Sequence, residues 1–304
     1  MRLVRQLAAI VLTVAIFAMI LRRVPLAALD AALRQADVRV FLSLMVPNTL
    51  FYFAWDTLVL TVVIRWFHGE VRYHDLLPVR AASYVVGFFN TNLGRGALAA
   101  YLTRTLQAPF LELGSTVLFL VLTEYTQLVI WALLGLLGLR TEVSRSLLIV
   151  AGGVALFWLV VRWLVAPREW SLARTFRLTT PARCVQIVLL RAPMFLVSLL
   201  VHYHAAHAFG IRIPFLQMLT FLPVIFMIAA LPITVGHLGT TQAAWIVFFG
   251  AYAEPPQLLA FSLAAHFVFT ATRAVLGVAW LPAAWSDLAA ARPLREKPRS
   301  ISAA

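Results

Sequence analysis

Little of this sequence is charged, and less of it is acidic. Of 304 residues only 12 are Asp or Glu, and charged residues of both signs amount to 12%. A water-soluble globular chain carries about 25%. The shortage excludes a soluble fold, which would have too little polar surface to cover an apolar content of 62%. Cysteine is scarcer still. Cys184 stands alone, so an internal disulfide framework and a cysteine-based metal motif are both excluded. Lysine is represented by Lys297 alone; every other basic residue is arginine, which reads as coding bias. Missing too are His-Glu-x-x-His, Gly-x-Ser-x-Gly and paired-aspartate motifs, which removes the familiar routes to metal-assisted and nucleophilic hydrolysis.

What is present is apolar sequence in long runs, with a mean hydropathy of +0.90. The spans lie near 6–21, 40–65, 77–103, 113–138, 146–165, 184–206, 216–252 and 258–283. Most reach the roughly 20 residues that cross a ~30 Å hydrocarbon core. The expectation is an all-α, polytopic membrane protein with one membrane domain over 1–285 and a basic cytoplasmic tail at 286–304. The first run follows a basic start, as a signal peptide would. It meets Arg22-Arg23 without a small-x-small cleavage site and reads as a retained helix.

The formal charge of +13 is spread singly or in pairs between the spans, which argues against nucleic acid as a partner. It suits helix orientation instead. With the N-terminus inside, 15 of the 25 basic residues fall on the cytoplasmic side and 7 outside. That excess follows the positive-inside rule and predicts an inner-membrane protein with both termini cytoplasmic. The joint 22–39, with four arginines outside, runs against it.

Two spans are interrupted, 77–103 by Asn90-Thr91-Asn92-Leu93-Gly94-Arg95-Gly96 and 216–252 by Leu231-Pro232-Ile233-Thr234-Val235-Gly236-His237-Leu238-Gly239-Thr240. Pro, Gly and Asn weaken a helix interior. Non-helical backbone at membrane depth survives only where protein or a wet cavity satisfies its amides. Both spans therefore read as re-entrant hairpins. An offset of 145 aligns Leu76-Leu77-Pro78-Val79 with Phe221-Leu222-Pro223-Val224 and Leu93-Gly94 with Leu238-Gly239. Repeats near 38–139 and 183–284 follow, and an odd number of crossings between them makes the repeats inverted. Broken helices meeting between inverted repeats are a transporter design.

At these motifs the sequence resembles the transmembrane domain of lysylphosphatidylglycerol synthases and their stand-alone flippase-like relatives. Leu231 through Gln242 looks like that family's C-terminal signature, a Pro-Ile pair followed by a Gly-rich turn and an acidic residue. Asn92-Leu93-Gly94-Arg95-Gly96 through Arg104, then Glu124, looks like its N-terminal signature. The chain departs from the pattern at Ala97, Ala100, Tyr125 and Gln242, where the family has charged residues. The resemblance covers roughly residues 10–285. It implies a protein that handles lipid and moves a charged, anionic or modified phospholipid or other amphiphile between leaflets. It implies membrane lipids as partners, with homo-oligomers or lipid-modifying enzymes as further ones, and no cofactor. The soluble aminoacyl-transferase domain of the full synthases is absent, so lipid aminoacylation is not expected. An intramembrane enzyme acting on a lipid head group or polyprenyl phosphate, and a non-transporting scaffold, are the alternatives.

Ionisable residues within spans are the candidates for substrate contact, because each needs a partner or a wet cavity in hydrocarbon. Glu124 reads as either a cavity group pairing with an arginine or as interhelical glue. Arg273 shares a face with Thr270 and His266 and is placed to meet a lipid phosphate or Glu124. Arg191, close to Arg183, reads as snorkelling to the interface. Asp56 reads as a counter-ion, a proton carrier or a buried neutral acid. Arg95 is the leading candidate for an anionic head group. Asn92, His237 and Gln242 line the two hairpin tips, where capping of half-helices is the alternative. His202, His204 and His207 read as interfacial histidines, with metal binding as the lesser reading.

Overall fold

A computed structural model describes residues 18–20, 22, 24–89, 91–137, 143–165, 168–230 and 238–289. Within them every regular element is helical. They are α1 (Leu26–Gln35), α2 (Val38–His68), α3 (Tyr73–Phe89), α4 (Thr91–Leu106), α5 (Phe110–Leu136), α6 (Val143–Val160, widening into a π-turn at Val161–Val165), α7 (Arg174–Leu178), α8 (Pro181–His207), α9 (Phe215–Ala230), α10 (Thr240–Phe249) and α11 (Pro255–Ala289). Four are long and apolar enough to cross a membrane: α2, α5, α8 and α11. The described helices of the two candidate broken pairs are shorter, at 17 and 16 residues for α3 and α4 and 16 and 10 for α9 and α10.

Local chemistry sets the boundaries of the long helices. The Asp37 carboxylate accepts the Val40 N–H at 3.1 Å and caps α2, which ends at Gly69 with φ of 107°. Thr180 caps α8 by accepting the Arg183 N–H at 3.3 Å, with Pro181 in the first turn. Inside α2 the hydroxyls of Thr49, Thr57 and Thr61 donate to carbonyls four residues back, at 2.9, 2.8 and 2.7 Å. That hides their polarity within the helix itself, as an apolar setting requires.

Two expectations about the connections need correcting. The joint 22–39 is not a plain polar connector: it holds α1, whose Leu29 packs on the core while Asp30 and Arg34 pair at 2.8 Å on its outer side. Its apolar residues recur at helical spacing within a segment rich in arginine. The break in 77–103 is also narrower than expected. Residues 91–96 are already helical, and only position 90 separates α3 from α4. Gly94 serves close packing rather than chain reversal, since a Cβ there would meet the Gly87 Cα at 2.7 Å. In the second pair the described part of α9 runs to Ala230 and α10 begins at Thr240; the expected interruption at 231–240 falls largely on residues 231–237, which lie outside the described ones.

The long helices cross over between two sets, α2–α5 and α8–α11. α11 packs on α3, and α5 packs on α9, so the last helix of each set lies on the first arm of the other's broken pair. Both contacts bring backbones together at a glycine. A Cβ on Gly277 would meet the Ala81 carbonyl oxygen at 2.8 Å, and one on Gly135 would meet the Thr220 Cα at 2.7 Å. α2 and α8 pack against each other. This reciprocal pattern is the one a two-fold exchange of the two sets would generate.

The apolar interior is divided. One core gathers Phe41, Met45, Leu128, Phe195, Leu199, Trp245 and Phe261. The other gathers Val59, Ile64, Leu76, Leu113, Phe119, Ile187 and Ala284. On α2, α5 and α11 the residues of the two cores lie at opposite ends, with Tyr52 and Asp56, Glu124, and Arg273 between them. On α8 Arg191 sits near the same boundary. A polar layer thus runs through the middle of the protein.

Because the crossing contacts have no room for a side chain, Gly277→Ala or Gly135→Ala will destabilise the protein by about 1–3 kcal/mol. Gly152→Ala is the control. It sits on exposed α6 with nothing within 4 Å of the new Cβ, and will be neutral or slightly stabilising. Thermal unfolding in detergent checks the contrast.

Candidate functional site

The middle layer is built from five helices, α2, α3, α5, α8 and α11. Asp56 of α2 is buried and paired with Arg80 of α3, both guanidinium contacts measuring 2.5 Å. Arg80 continues to the Tyr84 ring one turn on, with its Cζ 5.1 Å from the ring centroid. Arg273 of α11 approaches the same ring at 3.7 Å, and its other aromatic neighbour is Phe269 at 5.0 Å. Two guanidinium groups thus meet the Tyr84 π system.

The second ionic pair is looser. Arg191 of α8 approaches Glu124 of α5 at 4.0 Å, beyond hydrogen-bond reach. The Tyr52 hydroxyl donates to the other Glu124 oxygen at a long 3.5 Å, and its ring meets Phe269 edge-on at 5.5 Å. Tyr52 thus joins the Glu124 pair to the aromatic group that holds Arg273. Gln127, one turn beyond Glu124, donates to the Arg191 carbonyl at 3.0 Å, and the Trp55 indole donates to the Leu190 carbonyl at 2.7 Å. Both bonds position α8 against its neighbours.

The environment of each group differs. The Arg191 side chain is 4% exposed and that of Glu124 33%. The Nε atoms of Arg191 and Arg273 are buried and have no hydrogen-bond partner among the described residues. The layer thus holds two tight or loose acid–base pairs and one guanidinium, that of Arg273, faced by rings and no carboxylate. Arg95, half-buried on α4, acts electrostatically on Tyr125 beside Glu124 and makes no described ion pair.

Of the residues singled out from the sequence, Asp56, Glu124, Arg191 and Arg273 come together here, with Arg95 at the margin. Two readings change. Arg191 does not snorkel; it points inward to Glu124, because α8 extends to Pro181 and leaves this position three turns inside the helix. Arg273 does not pair with Glu124, since Tyr84 and Phe269 hold its guanidinium. Gln242 is fully buried but lies in α10, where its Oε1 accepts the Gly239 N–H at 2.7 Å. Gly239, at φ of 90°, adopts a left-handed conformation that glycine takes without strain. Asn92 lies in the first turn of α4, and His237 falls outside the described residues.

The histidines separate as well. His202 is buried and stacks on Trp245 at 6.5 Å, with its Nδ1–H directed to the Ser198 carbonyl at 2.7 Å, while His204 and His207 are exposed. No metal-holding group of His, Cys, Asp and Glu occurs among the described residues. A groove of about 200 Å³ lined by Phe51, Ala54, Trp55, Leu58 and Tyr73 opens on a different face of α2 from Tyr52 and Asp56. It is apolar and separate from the charged layer.

Sequence reasoning missed Arg80, Tyr52, Tyr84 and Phe269. The charge count places Arg80 on the cytoplasmic side because it stands near the start of the span 77–103, whereas it lies seven positions beyond the first residue of α3. A signal was available: Tyr52/Asp56, Arg80/Tyr84 and Phe269/Arg273 are all aromatic–ionic pairs four residues apart, hence neighbours on one helix face.

The two pairs will respond differently to neutralisation. Asp56→Ala strands buried Arg80 and will cost about 3–5 kcal/mol, as breaking a buried pair does. Glu124→Gln removes an ionic contact already at 4.0 Å and keeps an acceptor for the Tyr52 hydroxyl, and will cost less than Asp56→Ala. Thermal midpoints of the two variants in one detergent give the order.

No curated protein and no solved structure matches the chain. A family model described as "Lysylphosphatidylglycerol synthase TM region" matches residues 6–277. An all-helical protein with four membrane-length helices and a charged layer between two apolar cores is in keeping with that description. The chain belongs to the lysylphosphatidylglycerol synthase transmembrane family.

Proposed function

We propose that this protein is a lipid translocator, moving a charged phospholipid or a similar amphiphile between the leaflets of the cell's inner membrane. The observation that carries the reading is the layer of Asp56, Arg80, Glu124, Arg191 and Arg273 inside helices otherwise built to meet hydrocarbon. Ionisable groups at that depth are costly and mark pathways for polar cargo. The family supports lipid as the cargo.

The reading has a structural side. The broken pairs α3–α4 and α9–α10 enter from opposite faces as re-entrant hairpins of two inverted repeats, with both termini cytoplasmic. Short arms and the reciprocal packing of α11 on α3 and α5 on α9 support it. In such a design one half rocks against the other around a central site. No bond in the lipid is broken, so the protein is not an enzyme; self-association or contact with lipid-modifying enzymes would supply or remove the cargo.

In liposomes of purified protein, fluorescent phospholipid in the inner leaflet will become accessible to a membrane-impermeant reductant, and the recovered lipid will be chemically unchanged. Accessibility equal to protein-free liposomes, beside a working scramblase control, would contradict translocation. A modified lipid product would move the assignment to an intramembrane enzyme.

A further inference from the structure

The charges in the layer do not cancel. Asp56 is satisfied by Arg80 at 2.5 Å, and Glu124 has Arg191 for its cation, although at 4.0 Å. Arg273 remains, with two rings and no acid. Arg95 adds a further uncompensated cation near Tyr125, the neighbour of Glu124. The layer is therefore electropositive, and a bound anion would restore neutrality in a setting where water cannot.

The geometry at Arg273 narrows the class of anion. Tyr84 and Phe269 lie close to the guanidinium and hold it away from both carboxylates. Its Nε–H is buried without a partner, and so is that of Arg191, on a side chain 4% exposed. Free guanidinium edges fit the paired oxygens of a phosphate, to which arginine donates two parallel bonds.

We infer that the cargo is a phospholipid whose phosphodiester is not offset by a cation on its own head group, held at Arg273 and Arg191 of the charged layer. This rests on the translocator reading and names the substrate class for the same site. A lysyl ester of such a lipid carries two ammonium groups into a layer that already has excess positive charge. Glu124 is the one loosely held acid that could receive an ammonium, and Arg191 faces it. The substrate class is thus opposite in charge to the aminoacylated lipid for which the family is described.

The test uses full-length protein in liposomes with acyl-labelled phosphatidylglycerol, phosphatidylethanolamine and lysyl-phosphatidylglycerol, together with native mass spectrometry of lipid retained in detergent. Phosphatidylglycerol should move at least tenfold faster than its lysyl ester, with the ethanolamine lipid between. Arg273→Met should lose that preference and the retained phosphatidylglycerol while remaining monodisperse on gel filtration. Arg273→Lys, which keeps the charge without the planar fork, should retain part of both. Equal movement of all three lipids, or faster movement of the lysyl ester, overturns the substrate class and leaves translocation standing. If no lipid moves beside a working control, translocation falls and retention decides the site. Phosphatidylglycerol held by the native protein and lost in Arg273→Met supports it, and no such difference overturns it.

Discussion

Placing a carboxylate or guanidinium at the centre of a membrane helix is unfavourable by roughly 2.5–3.5 kcal/mol even on insertion scales. Five such groups occur here on five helices, and the fold is organised around keeping them together. The Asp56–Arg80 pair is the tightest of them, with both partners largely shielded. Once it joins α2 to α3, Tyr84 is in place to hold Arg273, and α11 is thereby drawn against the first broken pair. The close approach at Gly277 serves the same contact, since Gly277 lies one turn from Arg273 on α11. The two apolar cores on either side leave the layer little access to water.

The layer also crosses the boundary between the two sets of helices. Its acids, Asp56 and Glu124, lie in the first set, and Arg191 and Arg273 lie in the second. A relative movement of the sets would therefore change which charges face each other, while the contacts within each set persist. The two pairs are unequal in this respect. Asp56–Arg80 lies within the first set, whereas Glu124–Arg191 spans the two, and it is the spanning pair that is long. A lipid phosphate inserted at the spanning side would meet the looser pair and the uncompensated Arg273 together.

Much of this was legible in the amino-acid sequence because bilayer physics leaves strong marks. The long apolar helices and the mid-span positions of Glu124, Arg191 and Arg273 follow from hydropathy. Which charge meets which did not follow. Arg191 looked close enough to a span end to snorkel, and only the extension of α8 to Pro181 sets it deep. Arg80, near the start of the span 77–103, counts as cytoplasmic for a similar reason, because α3 begins before that span, at Tyr73, and carries it inward. Boundary shifts of a few residues reassign a charge from interface to interior, and hydropathy does not resolve them. The amphipathic α1 was hidden by the arginines of the 22–39 joint around it, and Gly94 looked like a turn because close helix packing and chain reversal both call for glycine.

The central claim is that Asp56 and Arg80 form a pair held away from water, and exchanging their charges tests it most directly. In lipid nanodiscs or mild detergent, Asp56→Arg and Arg80→Asp should each give poorly folded, aggregating protein. The double exchange should recover a monodisperse species with a thermal midpoint near the native one. If each single reversal is tolerated as well as the double exchange, the two side chains do not meet in an apolar interior, and the charged layer is not what orders this fold.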